Sequence, residues 1–236
     1  MPEIRPKTVA ISQSNYIPWK GYFDLINQAD EFVLLDEVQY TRRDWRNRNQ
    51  IKTPQGLHWV SIPVEVKGKF DVAISEVTVA DINWASQHWK TLTHSYGKAP
   101  FFIEVREWLE PLYMNMPSRL SEINQRLILA INLYLGITTT LHWSSDFSTP
   151  QDKSLRLLTI CKALNASTYL SGPAAQDYLD VREFEESGIS IQWMDYTGYP
   201  EYPQLYPPFT HNVSILDLIF NCGKGSVAYM KSFVKV

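Results

Sequence analysis

Cysteine is nearly missing from this chain: Cys161 and Cys222 are the only two in 236 residues. Two thiols exclude a disulfide framework and a cysteine-based zinc site. They fit a reducing compartment. Glycine is scarce, at ten residues, and neither a GxGxxG nor a Walker loop occurs. The common glycine-rich phosphate cradles are therefore excluded. HExxH, CxxC and GxSxG are also missing, which removes the usual zinc-protease, thiol-redox and serine-hydrolase signatures. No metal site is expected. The most apolar run, residues 127–137, is interrupted by Asn132 and is too short to span a bilayer. Met1 to Lys7 has two prolines and mixed charge with no apolar stretch behind it, so no secretory signal is expected and the cytoplasm is. A net charge of −3 excludes a generally basic nucleic-acid binder.

What is present is the composition of a folded globular protein, 44% hydrophobic and 20% charged. The length fits one α/β domain over residues 1–236. Aromatic residues reach 13%, with eight Trp and thirteen Tyr, more than a minimal core needs. Positive charge is concentrated. Between Thr41 and Lys52 lie Arg42, Arg43, Arg46, Arg48 and Lys52, against Asp44 alone. Focused positive charge in an acidic chain predicts a small anionic ligand.

Thr8–Ile11 and Phe32–Leu35 are short apolar runs that predict buried strands. Between them Tyr22, Phe23, Leu25, Ile26 and Ala29 have helical spacing, so the chain opens as a βαβ unit with a parallel pair. Residues 36–56 predict a long polar loop, followed by strands near 58–66 and 74–79. Residues 83–136 are helical by pattern, with Trp84, His88, Leu92 and Tyr96 at every fourth position. Pro100, Pro111 and Pro117 divide that block. Strands near 138–143, 168–170 and 189–194 alternate with a helix over 152–164. A last helix over 214–220 starts at an Asn212 or Ser214 cap and stops at Gly223. The Tyr/Pro segment 196–209 predicts an ordered surface loop. The pattern predicts a three-layer α/β fold with a parallel central sheet and a helical insertion.

Ligands of open parallel sheets bind beyond the carboxyl ends of the strands. The first such turn carries Gln13, Asn15 and Tyr16, and Gly21 opens the next helix toward an anion. The second carries Gln39, Arg43, Asn47, Arg48, Asn49 and Lys52. Arginine forks hold phosphate or carboxylate, and asparagines read hydroxyls. Trp45 can stack on a base or a sugar. A third turn offers Ser171 and Gly172, leading to Tyr178. Lys20, Asp36 and Arg43 are the catalytic candidates. Glu37, Asp44 and His211 are further acid/base groups that spacing alone does not pair.

Four stretches, SQSNYIPWKGYFDLI (12–26), ADEFVLLDEVQYTRRDWRNRNQIKT (29–53), YLSGPAAQDYLD (169–180) and HNVSILDLIFNCG (211–223), resemble the WbqC-like bacterial family. Its members are commonly encoded in gene clusters for O-antigen and other surface polysaccharides. The resemblance implies a transferase of lipopolysaccharide or related synthesis. Its ligand would be a sugar phosphate, a nucleotide-linked amino sugar or an activated acyl donor. The resemblance fixes no cofactor, and ATP with Mg or an acyl-coenzyme A donor stays open. A non-catalytic scaffold of the same pathway and an ATP-dependent amide-forming enzyme are the alternatives, and a homo-oligomer stays open. A weaker resemblance links the first forty residues to nucleotidyltransferase and HUP-like folds. Those carry an HxGH motif where this chain has Pro18-Trp19-Lys20-Gly21-Tyr22. Lys20 and the arginines would then supply the charge stabilisation of the missing histidines.

Overall fold

Strand β1 (Thr8–Ser12) buries Val9, Ala10 and Ile11 completely or nearly so. The computed structural model describes residues 6–233. The expected lack of a secretory signal falls mostly on residues 1–5, outside the described residues. Helix α1 (Lys20–Asn27) follows β1 and returns the chain to β2 (Glu31–Leu34), which pairs with β1 in parallel. Three more strands join the same sheet: β5 (Thr140–Trp143), β6 (Thr168–Ser171) and β7 (Ser190–Trp193). The order is β5-β2-β1-β6-β7, and every pairing is parallel.

Alternation along the strands divides the core in two. Ala10, Phe32, Leu34 and Leu170 face one cluster with α1 and the helices α2 (Trp84–Tyr96), α3 (Phe102–Met114), α4 (Leu120–Leu135) and α7 (Ile215–Cys222). Val9, Ile11, Val33 and Tyr169 face the other, with α5 (Lys153–Ala163) and α6 (Val181–Glu186). The fold is a three-layer α/β sandwich. Strand order reverses at β1, between β2 and β6, so the carboxyl ends of β1 and β6 flank the topological switch point.

Three expectations need correction. The loop over 36–56 contains strand β3 (Arg48–Thr53), which forms an antiparallel hairpin with β4 (Gly56–Ser61). Arg48, Asn49 and Lys52 therefore sit on a strand. Residues 74–79 form a short 3-10 turn, Ile74–Glu76, followed by bridge residues. Ile74 and Val77 are both buried, and their spacing of three suits a tight turn better than a strand. The Tyr/Pro segment is the expected loop, with exposed residues along it, but it is not confined to the surface. Tyr199 and Tyr202 are buried, and the Tyr202 hydroxyl donates to Asp217 Oδ1 at 2.6 Å.

The helical block is tied to the hairpin by a buried polar chain. His88 Nδ1 meets the Tyr16 hydroxyl at 2.8 Å, which meets the Tyr113 hydroxyl at 2.6 Å. His88 Nε2 lies 3.2 Å from the Ser61 carbonyl. Burial pushes His88 down from 6.5 to about 4, so it is neutral at neutral pH. The unfolded chain takes up this proton first. The stabilisation is complete above pH 6.5 and is lost as the pH falls through about 4. Urea unfolding across that window should show a loss of roughly 3 kcal/mol from this group. His88→Asn should flatten that part of the profile.

Candidate functional site

The loop leaving β1 is held from several sides. Ser14 N donates to Asp36 Oδ1 at 2.9 Å, and Tyr16 N donates to the Trp45 carbonyl at 3.0 Å. Asn49 Nδ2 donates to the carbonyls of Tyr16 and Ile17 at 3.2 and 2.9 Å. Ile215 N, at the start of α7, donates to Pro18 O at 2.8 Å. These bonds fix a backbone with φ 38° at Ile17, a left-handed posture that a β-branched residue resists.

The posture opens a cleft of about 440 Å³ along the carboxyl edge of the sheet. Trp19 and Trp45 line it. Asn15, Asn49, Gln50 and Asn212 supply amide groups, and His211 supplies an imidazole. Trp19 is backed by Tyr196 and Tyr199, with ring centroids 5.2 and 5.6 Å away. Trp45 leans on Trp59 at 5.4 Å, and the Arg48 guanidinium lies 4.2 Å from the Trp59 ring centre. The size is that of an ordinary small-ligand site.

A second cleft of about 430 Å³ lies at the ends of β2 and β5. Asp36, Glu37, Glu76 and Glu122 line it against Arg119. That charge repels the anion expected from the sequence, so the tryptophan-walled cleft is the candidate site.

The first two turns meet there. Arg46 joins them by donating to the side-chain oxygens of Gln13 and Asn15. It also lies 3.5 Å from Asp44 Oδ2. Arg46 is thus a buttress, and Gln13 is committed to it. Tyr16 and Asn49 are committed to the loop and the helical block. Asn47 donates to Ile62 O at 2.7 Å. Lys52 donates to Gln204 Oε1 at 2.8 Å and to the Pro208 carbonyl. Gln39 ties down Phe70 O at 2.8 Å. Asp36 accepts from Ser14 and from the Ser121 hydroxyl, so its oxygens are engaged in the core. Arg43 is exposed, with φ 58°, and its carbonyl accepts from Arg48. The Arg43 side chain makes no hydrogen bond among the described residues.

Gly21 has a different reason from the one expected. A Cβ there would come within 2.3 Å of the Trp19 ring, so glycine lets the indole fold over the start of α1. Lys20 is buried, with Nζ 3.1 Å from Pro200 O and 4.8 Å from the Tyr199 ring centre. Burial lowers it to about 8, while Asp24 pulls it upward. The third turn touches the cleft only from behind. A Cβ on Gly172 would sit 3.7 Å from the Tyr196 hydroxyl, and Tyr196 backs Trp19. Ser171 Oγ donates to the Tyr169 hydroxyl at 3.2 Å, and Tyr178 borders a separate open depression.

The WbqC-like protein family matches residues 13–229, which takes in both halves of the cleft. The chain belongs to the WbqC-like family. A relative from Mycobacterium tuberculosis (strain ATCC 25618 / H37Rv), named "Uncharacterized protein Rv1507c", is 48% identical over 226 residues. That match covers 95% of this chain and 98% of the relative. No solved structure matches significantly. Among the described residues of this WbqC-like chain, no helix is long and apolar enough to cross a membrane. Among them, too, no group of three or more His, Cys, Asp or Glu side chains could hold a metal ion.

Sequence reasoning missed Trp19, Gln50 and Asn212 as cleft residues, and it left His211 unassigned. The signal available was position: His211 and Asn212 directly precede the Ser214 cap of α7. Asn49→Ala removes both bonds that hold Tyr16 and Ile17. It should destabilise the protein by about 1–3 kcal/mol in urea unfolding. Trp45 fluorescence should report a rearranged cleft even where the global fold survives.

Proposed function

We propose that this WbqC-like protein is a transferase of surface-polysaccharide assembly that seats a nucleotide-linked sugar in the tryptophan-walled cleft. One observation carries the reading: two indoles and a set of amides line one cleft at the carboxyl edge of a parallel sheet. Indole faces stack on bases and on the apolar faces of sugars. The Gln50 and Asn212 side chains make no hydrogen bond among the described residues, and both line the cleft. Amides in that state can donate to or accept from hydroxyls and base edges. Arg43 precedes Trp45 in the turn, Arg48 opens β3 just after it, and Arg48 is stacked on the neighbouring Trp59. They are the groups suited to a diphosphate.

The family resemblance supports the pathway, and the cleft supports the ligand class. Catalysis in such a site rests on positioning and charge stabilisation. Thermal-shift measurement tests the reading with UDP- and dTDP-sugars, sugar phosphates, coenzyme A thioesters, and ATP with and without Mg. A nucleotide sugar at about a hundred times its Kd adds roughly 2.7 kcal/mol of stability. For a chain of this size the melting temperature should rise by about 5 °C or more. Trp45→Ala should weaken that binding by about 1–3 kcal/mol, and Arg43→Ala should weaken it for diphosphate-linked ligands alone. A panel in which no nucleotide sugar shifts the protein would refute the reading. Binding without turnover in any donor mixture would instead favour a non-catalytic component of the same pathway.

A further inference from the structure

His211 stands apart from the other partly or fully buried histidines in having no hydrogen-bond partner for its ring among the described residues. His88 uses both nitrogens, and His142 Nε2 meets Glu31 Oε2 at 2.8 Å. His211 Nδ1 is buried and makes no hydrogen bond. Its Nε2 makes none either, yet it is not among the buried unpartnered atoms, so it has access to solvent on a ring that lines the cleft. Buried polar atoms in native proteins are mostly paired, and of the nine unpartnered ones among the described residues His211 Nδ1 alone belongs to a residue that lines the cleft. The ring is not loose. The Phe209 ring meets it edge-on with centroids 4.6 Å apart, and Tyr199 lies at 6.4 Å. Packing therefore orients an imidazole whose nitrogens the protein leaves uncommitted.

We propose that His211 is the proton-accepting catalytic residue of the cleft, acting through Nε2 on the attacking hydroxyl or amine of a sugar acceptor. The proposal rests on the nucleotide-sugar reading of the same cleft. Three influences set the charge of the ring. Burial disfavours imidazolium, Lys20 on α1 adds like-charge repulsion, and Glu201 on the Tyr/Pro segment pulls weakly the other way. The result is a lowered proton affinity and a neutral ring at neutral pH.

In the transfer step the acceptor oxygen or nitrogen bonds to the electrophilic carbon of the donor. The bond from that carbon to the leaving group, a coenzyme A thiolate or a nucleoside diphosphate, breaks. The leaving group departs with the electron pair. The proton of the attacking atom passes to Nε2, which makes His211 an imidazolium. The partial burial of the ring and Lys20 disfavour that cation, so the proton moves on to the leaving group or to water.

Two measurements decide the proposal, and the first needs only the protein. Diethyl pyrocarbonate acylates neutral, unengaged imidazole nitrogens. At neutral pH it should modify His211 well before His88, as read by peptide mass mapping, and UDP-glucose should protect His211. A His211 that stays unmodified while exposed His58 and His94 react overturns the proposal. The second measurement follows transfer from acetyl-coenzyme A to a UDP-linked amino sugar, with release of free thiol as the readout. His211→Asn should lower kcat by about 100-fold or more and abolish the acidic limb of the pH profile. UDP-sugar affinity should stay within about threefold, because the loss belongs to the transition state. Unchanged kcat, or lost affinity with kcat intact, overturns the proposal while leaving the binding reading standing. A wild-type protein that binds no nucleotide sugar condemns the binding reading, and the reactivity of His211 toward diethyl pyrocarbonate then still distinguishes an unengaged imidazole from a buried structural one.

Discussion

Ile17 sits in a left-handed backbone that its own branched side chain opposes, and neighbouring elements hold it there. The Asn49 carboxamide reaches across from the hairpin to two successive carbonyls. The first amide of α7 takes the next carbonyl, that of Pro18. The bend turns the following Pro-Trp pair inward, and Trp19 can settle over α1 only because Gly21 has no side chain. The tryptophan wall, the cleft and the position of α1 all follow from that one constrained turn. The strain is carried by the hairpin, whose Asn49 and Gln50 line the cleft, and by α7, whose preceding residues 211–213 line it too.

Buried carboxylates form the second tier of support. Asp36 takes the Ser14 amide and the Ser121 hydroxyl, which joins the first strand's loop to α4. Asp217 on α7 accepts from Tyr96 at 2.8 Å, Tyr202 at 2.6 Å and Gln204 at 2.7 Å. Burial raises the Asp217 carboxyl, and these donors and Lys52 draw it back down. Such a group holds three elements together because leaving any donor unpaired in a dry interior is costly. Acidic residues near a sheet edge invite a catalytic reading, yet these two have their oxygens filled by the fold.

Much of the architecture was legible because it depends on local pattern. Apolar runs marked the parallel strands. Ser214 and Gly223 bound the last helix as their types demand, with the Ser214 hydroxyl accepting from Leu216 N at 3.2 Å and Gly223 at φ 55°. Strand β3 escaped notice because its sequence, RNQIKT, has one apolar residue. Its Asn49 and Lys52 are buried through partners on the loop and the Tyr/Pro segment. The inward course of that segment was illegible for the same reason: Tyr202 is buried for the sake of Asp217. The arginine cluster directed attention to this part of the surface but carried nothing about the division of labour within it. Arg46 points back to Gln13 and Asn15, whereas Arg43 points to no partner, and spacing carries no such information. His211 was legible only as one acid/base candidate among several, since an unpaired nitrogen is a property of surroundings.

The cleft is assembled from residues 15–50 and 211–213. Ser214 N donates to the Gln50 carbonyl at 2.8 Å, and Lys52 meets Gln204 at the same distance, so the early hairpin closes onto the late helix. During synthesis the first tryptophan wall emerges long before the residues that face it. Until α7 is made, the Pro18 carbonyl lacks its partner, and the turn at Ile17 is held by Asn49 alone on that side. Such distant contacts are slow to form, because the chain between them must be ordered first. A nascent chain stopped short of residue 211 therefore carries all five strands of the sheet without the tryptophan-walled cleft. Formation of the cleft thus follows completed synthesis, independent of how well the central sheet has formed.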